Sequence, residues 1–374
     1  MTNSVTWLYR CSRLGLTTAA LLAVFSGCGS DQLNPSAETP TDALAGDSIP
    51  AIPADSIAVP TDSTAAPVDS TGLPADSTLP GDSLPPGDSL PPGDTTGISP
   101  LITSTHPGIA FGNFNMLSKY LTPVYNGTMQ GLEPSWLMAE LVTARAKGGR
   151  LVLKLVGGSD DRQKNADGTF SFTKWKALVD KFKTLSLNSY INDGTLMGVF
   201  LIDEPHNANK WGGKAIPHST VEAMARHTKL IWPSLATFAR ARPTWLAQTS
   251  ITYTYLDAGW FQYERYMGDI SAATTKEINA AKTKRLGIAV GLNVLNGGNG
   301  SSGIRGTLSG KYKMSATEIR NYGSVLLNQT YACSFFNWTY ILGGAEYMAR
   351  TDIKSAMSYL SNKARYHVKT SCRQ

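Results

Sequence analysis

From Gly108 onward, short apolar runs alternate with amphipathic ones, and no other feature narrows the possible folds as far. The strand-like runs are Gly108–Phe114, Arg150–Val156, Leu196–Ile202, Leu235–Arg240, Ala258–Tyr263, Leu286–Leu292 and Cys333–Thr339. They are short, nearly continuous in apolar character and bounded by Gly, Pro or Asp, as strands buried on both faces are. Helical periodicity fills the gaps between them. One helix is expected over Glu133–Lys147, stopping at Gly148-Gly149. Others are expected over Thr173–Leu187, from a Ser219-Thr-Val-Glu222 capping box to Trp232-Pro233, and over Ser271–Lys284. Two more run from a Ser315-Ala-Thr-Glu318 capping box to Asn328 and over Asp352–Arg365. Strand–helix alternation over about 260 residues predicts an α/β fold, a (β/α)8 TIM-type barrel. Seven strands are evident; the eighth is either Ser250–Tyr255 or missing. An open doubly wound sheet is the alternative, but the first strand is not followed by a dinucleotide glycine fingerprint.

The chain ahead of this segment has another composition. No Lys or Arg occurs between Leu14 and Ser118. The first 28 residues carry +2 and residues 29–100 carry −11. The chain as a whole carries +6, which leaves +15 on residues 101–374, from 32 basic and 17 acidic side chains. Arg10 and Arg13 precede an apolar run from Leu14 to Gly27 that is too short to span a bilayer comfortably and reads as a secretory signal. Phe25-Ser-Gly-Cys28 resembles the bacterial lipobox, with Phe25 where Leu is usual. That resemblance implies cleavage after residue 27, acylation of Cys28 and a lipid membrane as partner. Gly29 in place of Asp then allows the outer membrane or cell surface. Residues 28–105 repeat Pro-x-Asp-Ser or Pro-x-Asp-Thr, hold too little apolar surface to offset ordering entropy, and read as a disordered tether. At about 3.1 Å per residue its reach is on the order of 200 Å. The expected organisation is therefore signal peptide 1–27, tether 28–105 and barrel 106–374.

Cys333 and Cys372 are the two thiols in the barrel segment. In an exported chain, such a pair is expected to form a disulfide that holds the C-terminal end against the barrel.

The sharpest chemical feature is Gly198-Val-Phe-Leu-Ile-Asp-Glu-Pro-His206. A buried strand runs straight into two carboxylates, and Pro205 ends it, so Asp203 and Glu204 belong at the C-terminal mouth where barrel enzymes keep their sites. Carboxyls set against an apolar wall have raised pKa values, as a general acid needs. Glu264, ending the aromatic strand Ala258–Tyr263, is the best second carboxylate; Asp160, Asp161 and Glu346 are its rivals. Trp211, Trp260, Tyr263, Trp338 and Tyr340 offer flat rings to sugars. Asn115, Gln262, Asn293 and Asn337 offer hydrogen bonds, and His206 lies beside the carboxylates. Asp203, Glu204 and His206 lack the spacing of a catalytic metal site, so no metal and no cofactor are expected. The Gly-rich stretch Asn296–Gly303 reads as a loop over the site rather than a phosphate cradle.

The acid–Pro strand ending resembles the Asn-Glu-Pro motif of the large retaining clan of barrel glycoside hydrolases. That resemblance implies that Glu204 is the proton donor, that Asp203 stands where the family's sugar-contacting Asn does, and that Trp338 is the floor of the sugar site. It departs from the family in two ways. The motif ends the third strand read from the sequence where the family has the fourth, and no Glu ends the penultimate strand. The expected function is a surface-tethered glycoside hydrolase with Glu204, Glu264 and Asp203 as catalytic residues. The expected partner is a glycan, possibly anionic given the +15 charge, and the expected protein is a monomer with no nucleic-acid partner. A non-catalytic carbohydrate-binding barrel and a metal-assisted esterase or deacetylase are the alternatives.

Overall fold

The computed structural model describes residues 107–368 and Cys372; the segments read as a secretory signal and a tether, and Cys28 with its expected acylation, lie outside the described residues. Eight parallel strands close into a barrel in sequence order. They are β1 (Ala110–Phe114), β2 (Gly127–Gly131), β3 (Arg150–Lys154), β4 (Leu196–Asp203), β5 (Ala236–Arg240), β6 (Ala258–Tyr263), β7 (Gly287–Leu292) and β8 (Ala332–Asn337). β8 pairs with β1 through Ala110–Asn113 and Ser334–Asn337, which completes the ring. The outer layer includes α1 (Pro134–Ala146), α2 (Phe172–Asp180), α3 (Asn188–Asn192), α4 (His218–Ile231), α5 (Pro243–Leu246), α6 (Ile270–Thr283), α7 (Ala316–Leu327), α8 (Gly344–Ala349) and α9 (Thr351–Arg365).

The eighth strand is neither absent nor Ser250–Tyr255. It is β2, Gly-Thr-Met-Gln-Gly, which has no apolar run. Only Met129 faces the barrel core, while Thr128 Oγ1 donates to the Met116 carbonyl and Gln130 Nε2 donates to Glu140. β2 raises the count by one, so the strand that ends in Asp203 is the fourth. Ser250–Tyr255 is instead a loop, held because Glu222 accepts backbone N–H bonds from Thr254, Tyr255 and Leu256. Glu222 is thereby taken from the expected capping box: α4 begins at His218 behind Pro217 with no side-chain cap. The second box forms, with Ser315 and Glu318 capping each other at the start of α7. The single helix expected over Thr173–Leu187 ends at Asp180.

Inward side chains fill the barrel: Ala110, Phe114, Met129, Val152, Phe200, Phe238, Trp260, Ala289 and Phe336 pack together. Larger apolar layers lie between sheet and helices, one centred on Trp175, Leu201 and Trp211 and the other on Phe261, Val290 and Phe335. At the end opposite the mouth, Cys333 and Cys372 form a disulfide with Cα atoms 5.2 Å apart. The Cys372 backbone lies against Gly287 at the start of β7, where a Cβ on the glycine would come within 3.0 Å of the Cys372 carbonyl. The bond closes a loop of 39 residues that spans α8 and α9. In the loop-entropy model this contributes about 3–4 kcal/mol. Replacing Cys333 and Cys372 together by Ala should lower the unfolding free energy by about that amount, read from denaturant midpoints with non-reducing controls. An unchanged midpoint would mean that the C-terminal arm is held by packing alone.

Candidate active site

Charges from three adjacent strands meet at the C-terminal mouth. β3 ends in Lys154, β4 in Asp203 and β5 in Arg240; Asp160 and Lys210 come from the loops after β3 and β4. They form one chain of ion pairs. Lys154 Nζ lies 2.5 Å from Asp160 Oδ1, and Lys210 Nζ lies 2.9 Å from Asp160 Oδ2 and 2.5 Å from Asp203 Oδ2. Arg240 Nη1 lies 2.7 Å from Asp203 Oδ1, and its Nη2 lies 3.5 Å from Glu204 Oε1. Burial opposes the Asp203 charge, but Arg240, Lys210 and Lys154 outweigh it and hold the carboxyl far below the usual range. Burial likewise opposes the Lys210 charge, and Asp203 and Asp160 overcome it and push the ammonium up.

Glu204 follows directly, yet its surroundings differ. Its backbone turns into the left-handed region (φ 49°) just before Pro205, a conformation that costs a non-glycine residue about 1–3 kcal/mol. Hydrogen bonds on both sides hold it there, among them one from the Asn207 N–H to its carbonyl at 3.0 Å. Its N–H donates to the Arg240 carbonyl at 3.1 Å, its carbonyl accepts from Trp211 Nε1 at 3.0 Å, and Asn207 Nδ2 donates to its carboxylate at 3.4 Å.

Along β6 the period of two puts Trp260, Gln262 and then Glu264 on the inward face, with Phe261 and Tyr263 turned outward to the helices. Glu264 accepts from Asn293 Nδ2 at 2.8 Å. Burial raises its pKa, and the nearby Glu204 charge adds to the rise. Asn293, Lys311 and Arg240 pull the other way and do not cancel it. The two carboxylates thus feel each other across the mouth. The loop after β7 folds over Glu264 at Gly297, whose carbonyl accepts the Arg265 N–H at 3.0 Å. A Cβ on Gly297 would lie 2.6 Å from the Asn293 carbonyl, so this turn excludes larger residues. Trp338, joined to Thr339 by a cis peptide bond, follows the end of β8. Its ring stacks on Phe114 at 4.9 Å, and Arg240 lies over it at 4.2 Å. Trp260 is buried deeper, 5.7 Å from Phe114.

The mouth therefore gathers Glu204, Asp203, Glu264, Asn293, Trp338 and, one layer down, Trp260. His206 is exposed beside it, its ring 5.8 Å from Trp245. Burial lowers the His206 pKa, against the pull of Glu204. Asn115 stands at the end of β1 in a left-handed conformation (φ 56°) that Asn tolerates. Three expected sugar contacts are corrected. Tyr263 is on the outer face of β6, with its hydroxyl donating to the Gly268 carbonyl. Trp211 is fully buried under the β4 loop, edge-on to Phe170. Asn337 is fully buried and bonds Gly112 and Asn113. Of the rival acids, Asp160 is consumed by the two lysines. Lys154 and Lys210 have no sequence signal of their own, whereas Leu235–Arg240 shows the same apolar run into a charge that marks Asp203. Among the described residues, no group of three His, Cys, Asp or Glu is placed to hold a metal.

No family model matches the chain, and no curated protein matches it in sequence. Solved structures match it weakly in shape. An endo-β-1,4-mannanase from Thermotoga petrophila is 10% identical, with a TM-score of 0.45 over 70% of this chain and 77% of that one. An endocellulase from Pyrococcus horikoshii is 9% identical, with a TM-score of 0.45 over 69% of this chain and 92% of that one. The catalytic domain of the major endoglucanase from Xanthomonas campestris pv. campestris is 12% identical, with a TM-score of 0.45 over 70% and 94%. At such identity the likeness is one of barrel to barrel.

Replacing Asp203 by Asn leaves Arg240 and Lys210 buried without their shared counter-ion, and should cost about 3–5 kcal/mol in denaturant unfolding at neutral pH. Because the folded carboxyl titrates far below the unfolded one, its stabilisation is complete above the ordinary carboxyl value near 4 and is lost as the pH falls below it. The substitution should therefore flatten that part of the stability profile. Equal losses in both proteins between pH 5 and about 3 would show that Asp203 does not carry the acid sensitivity.

Proposed function

We propose that this barrel hydrolyses glycosidic bonds, with Glu204 and Glu264 as the catalytic pair. One observation carries the reading: two carboxylates, from the ends of β4 and β6, influence each other across one mouth while standing in opposite surroundings. Glu204 has the Arg240 guanidinium at 3.5 Å. Glu264 has a neutral amide partner and a pKa raised first by burial. Glycoside hydrolysis requires such a division between one carboxyl that keeps its proton and one that has lost it. In this reading Glu264 protonates the leaving oxygen, and Glu204, beside the Arg240 guanidinium, attacks the anomeric carbon or activates water. The roles are the reverse of those implied by the Asn-Glu-Pro resemblance. Asp203 becomes a positioning residue, since both its oxygens are committed to cations.

The disulfide supports the reading of an exported protein, because such bonds persist in oxidising compartments. We extend it to a chain acylated at Cys28 and carried on the Pro/Asp/Ser tether. In that case Cys28→Ala should move the protein from the membrane fraction to the soluble exported fraction.

A second reading, a barrel that binds glycan without cleaving it, draws support from Asn293, an amide at the end of the penultimate strand, where the resemblance calls for the nucleophilic Glu. Both readings meet one experiment. On natural glycans, Glu264→Gln should lose about 10²–10⁴-fold in kcat/KM. On glycosyl fluorides, whose leaving group needs no proton, it should lose far less, whereas Glu204→Gln should fail on both. The alkaline limb of the wild-type pH profile should lie above the ordinary glutamate value, because activity falls as Glu264 loses its proton, and it should vanish in Glu264→Gln. Rescue by fluorides in the Glu204 variant instead would restore the reverse assignment. Binding without turnover in the wild type would favour the second reading.

A further inference from the structure

The cations at the mouth do not share one fate. Lys154, Lys210 and Arg240 are matched by Asp160, Asp203 and Glu204. Lys311 is not: among the described residues it makes no ion pair, and its ammonium lies 4.4 Å over the ring of Tyr266. It comes from the loop after β7, which is fixed at this point because the Lys311 carbonyl accepts the Gly306 N–H at 2.8 Å. Tyr266 is two residues past Glu264 and 68% exposed. Its pKa is raised by burial and then by the charges of Glu264 and Glu204. The acid that Lys311 acts on is Glu264, whose pKa burial raises in spite of the lysine. An exposed ring beside the reacting carboxyls, with an uncompensated cation on its face, suits a sugar that carries its own negative charge.

We propose that the glycan this site accepts is acidic, with a sugar carboxylate or sulfate ester docking on Lys311 over Tyr266. This rests on the hydrolase reading of the mouth and names its substrate class. An ammonium is a point charge that pairs with either anion, and a charged partner beside the site also steers association. The +15 charge of the barrel segment attracts polyanions without specificity, so the argument depends on Lys311 in particular and not on net charge.

The test uses the full chain at about 0.15 M salt, where exposed charges farther apart than about 8 Å are largely screened. The probes are short oligosaccharides from pectate, alginate and glucuronoxylan, their carboxyl-reduced counterparts, and sulfated carrageenan oligosaccharides. Binding is read by calorimetry and cleavage by product analysis. At least one acidic probe should bind ten or more times tighter than its reduced or desulfated form. Lys311→Gln should erase that preference, while Lys354→Gln on α9, which removes the same charge elsewhere, should keep it. Preference for uronates over carrageenan oligosaccharides assigns the carboxylate, and the converse assigns the sulfate. Failure of every acidic probe to bind, a reduced probe bound or cleaved as well as its acidic parent, or a preference that survives Lys311→Gln overturns the proposal. Cleavage of neutral probes alone does so while leaving the hydrolase reading intact. Lys311-dependent binding with no cleavage overturns the hydrolase reading and leaves the acidic-glycan site.

Discussion

Arg240 is the side chain on which the mouth of the barrel depends. One guanidinium nitrogen is committed to Asp203 at 2.7 Å, and another reaches Glu204 at 3.5 Å. Its planar face covers Trp338, and its carbonyl accepts the N–H of Glu204. A planar fork with fixed donor directions can serve a buried carboxylate, a neighbouring carboxylate and an aromatic face together, which a lysine could not do. The arrangement is stable because Asp203 shares its charge with Lys210, and Asp160 pairs with both Lys210 and Lys154, so that each ion of this cluster has a partner. The mouth is thus polar and nearly balanced on the β3–β5 side. On the β6–β7 side it has one half-buried carboxyl, an amide and, among the described residues, one lysine without an ion pair.

The two ends of the barrel are closed by different means. Below, apolar packing and the Cys333–Cys372 bond hold the C-terminal arm under β7. Above, among the described residues, no layer of apolar side chains covers the mouth. The inward positions of β3, β4 and β5 change from Val152, Phe200 and Phe238 to Lys154, Asp203 and Arg240 within one strand step of the rim, with a bulge between Phe200 and Ile202 in β4. Stability is concentrated in the layers between sheet and helices, and the mouth is left free for polar groups that the core would not tolerate.

The barrel was legible because buried parallel strands announce themselves as apolar runs; the one strand that escaped, β2, stabilises the ring through backbone pairing and polar outward contacts. The capping boxes show the limit of local signals. Ser315-Ala-Thr-Glu318 forms its box, while the same pattern at Ser219 does not, because Glu222 finds three backbone donors in a loop over thirty residues away. Among the site residues, strand-end carboxylates could be read directly, but the face on which a side chain lies could not. Tyr263 and Glu264 are neighbours in sequence, and the pleat sends one to the helices and the other to the mouth. Trp211 and Asn337 look like sugar contacts by residue type, and only the fold reveals that one bonds the Glu204 carbonyl and the other the β1 backbone. The ion-pair chain needed three strands and two loops in register, which no local pattern encodes.

Asp203 and Glu204 show how neighbouring acids are given different work. Were the chain to continue as a regular strand, the pleat would turn Glu204 outward, against the apolar layer beneath the helices, where an ionised carboxylate would be unpaired. The left-handed turn at residue 204 breaks that alternation and returns the second carboxyl to the mouth. Nothing in the local sequence favours the turn: Glu is not a residue that adopts it readily, and the proline that follows restricts it further. The cost is met by tertiary contacts, from the Arg240 carbonyl on one side and the Trp211 indole on the other. A strained backbone held from both sides thus brings the acid after Asp203 to the rim, and the cost of the strain is borne by contacts from β5 and from the loop after β4.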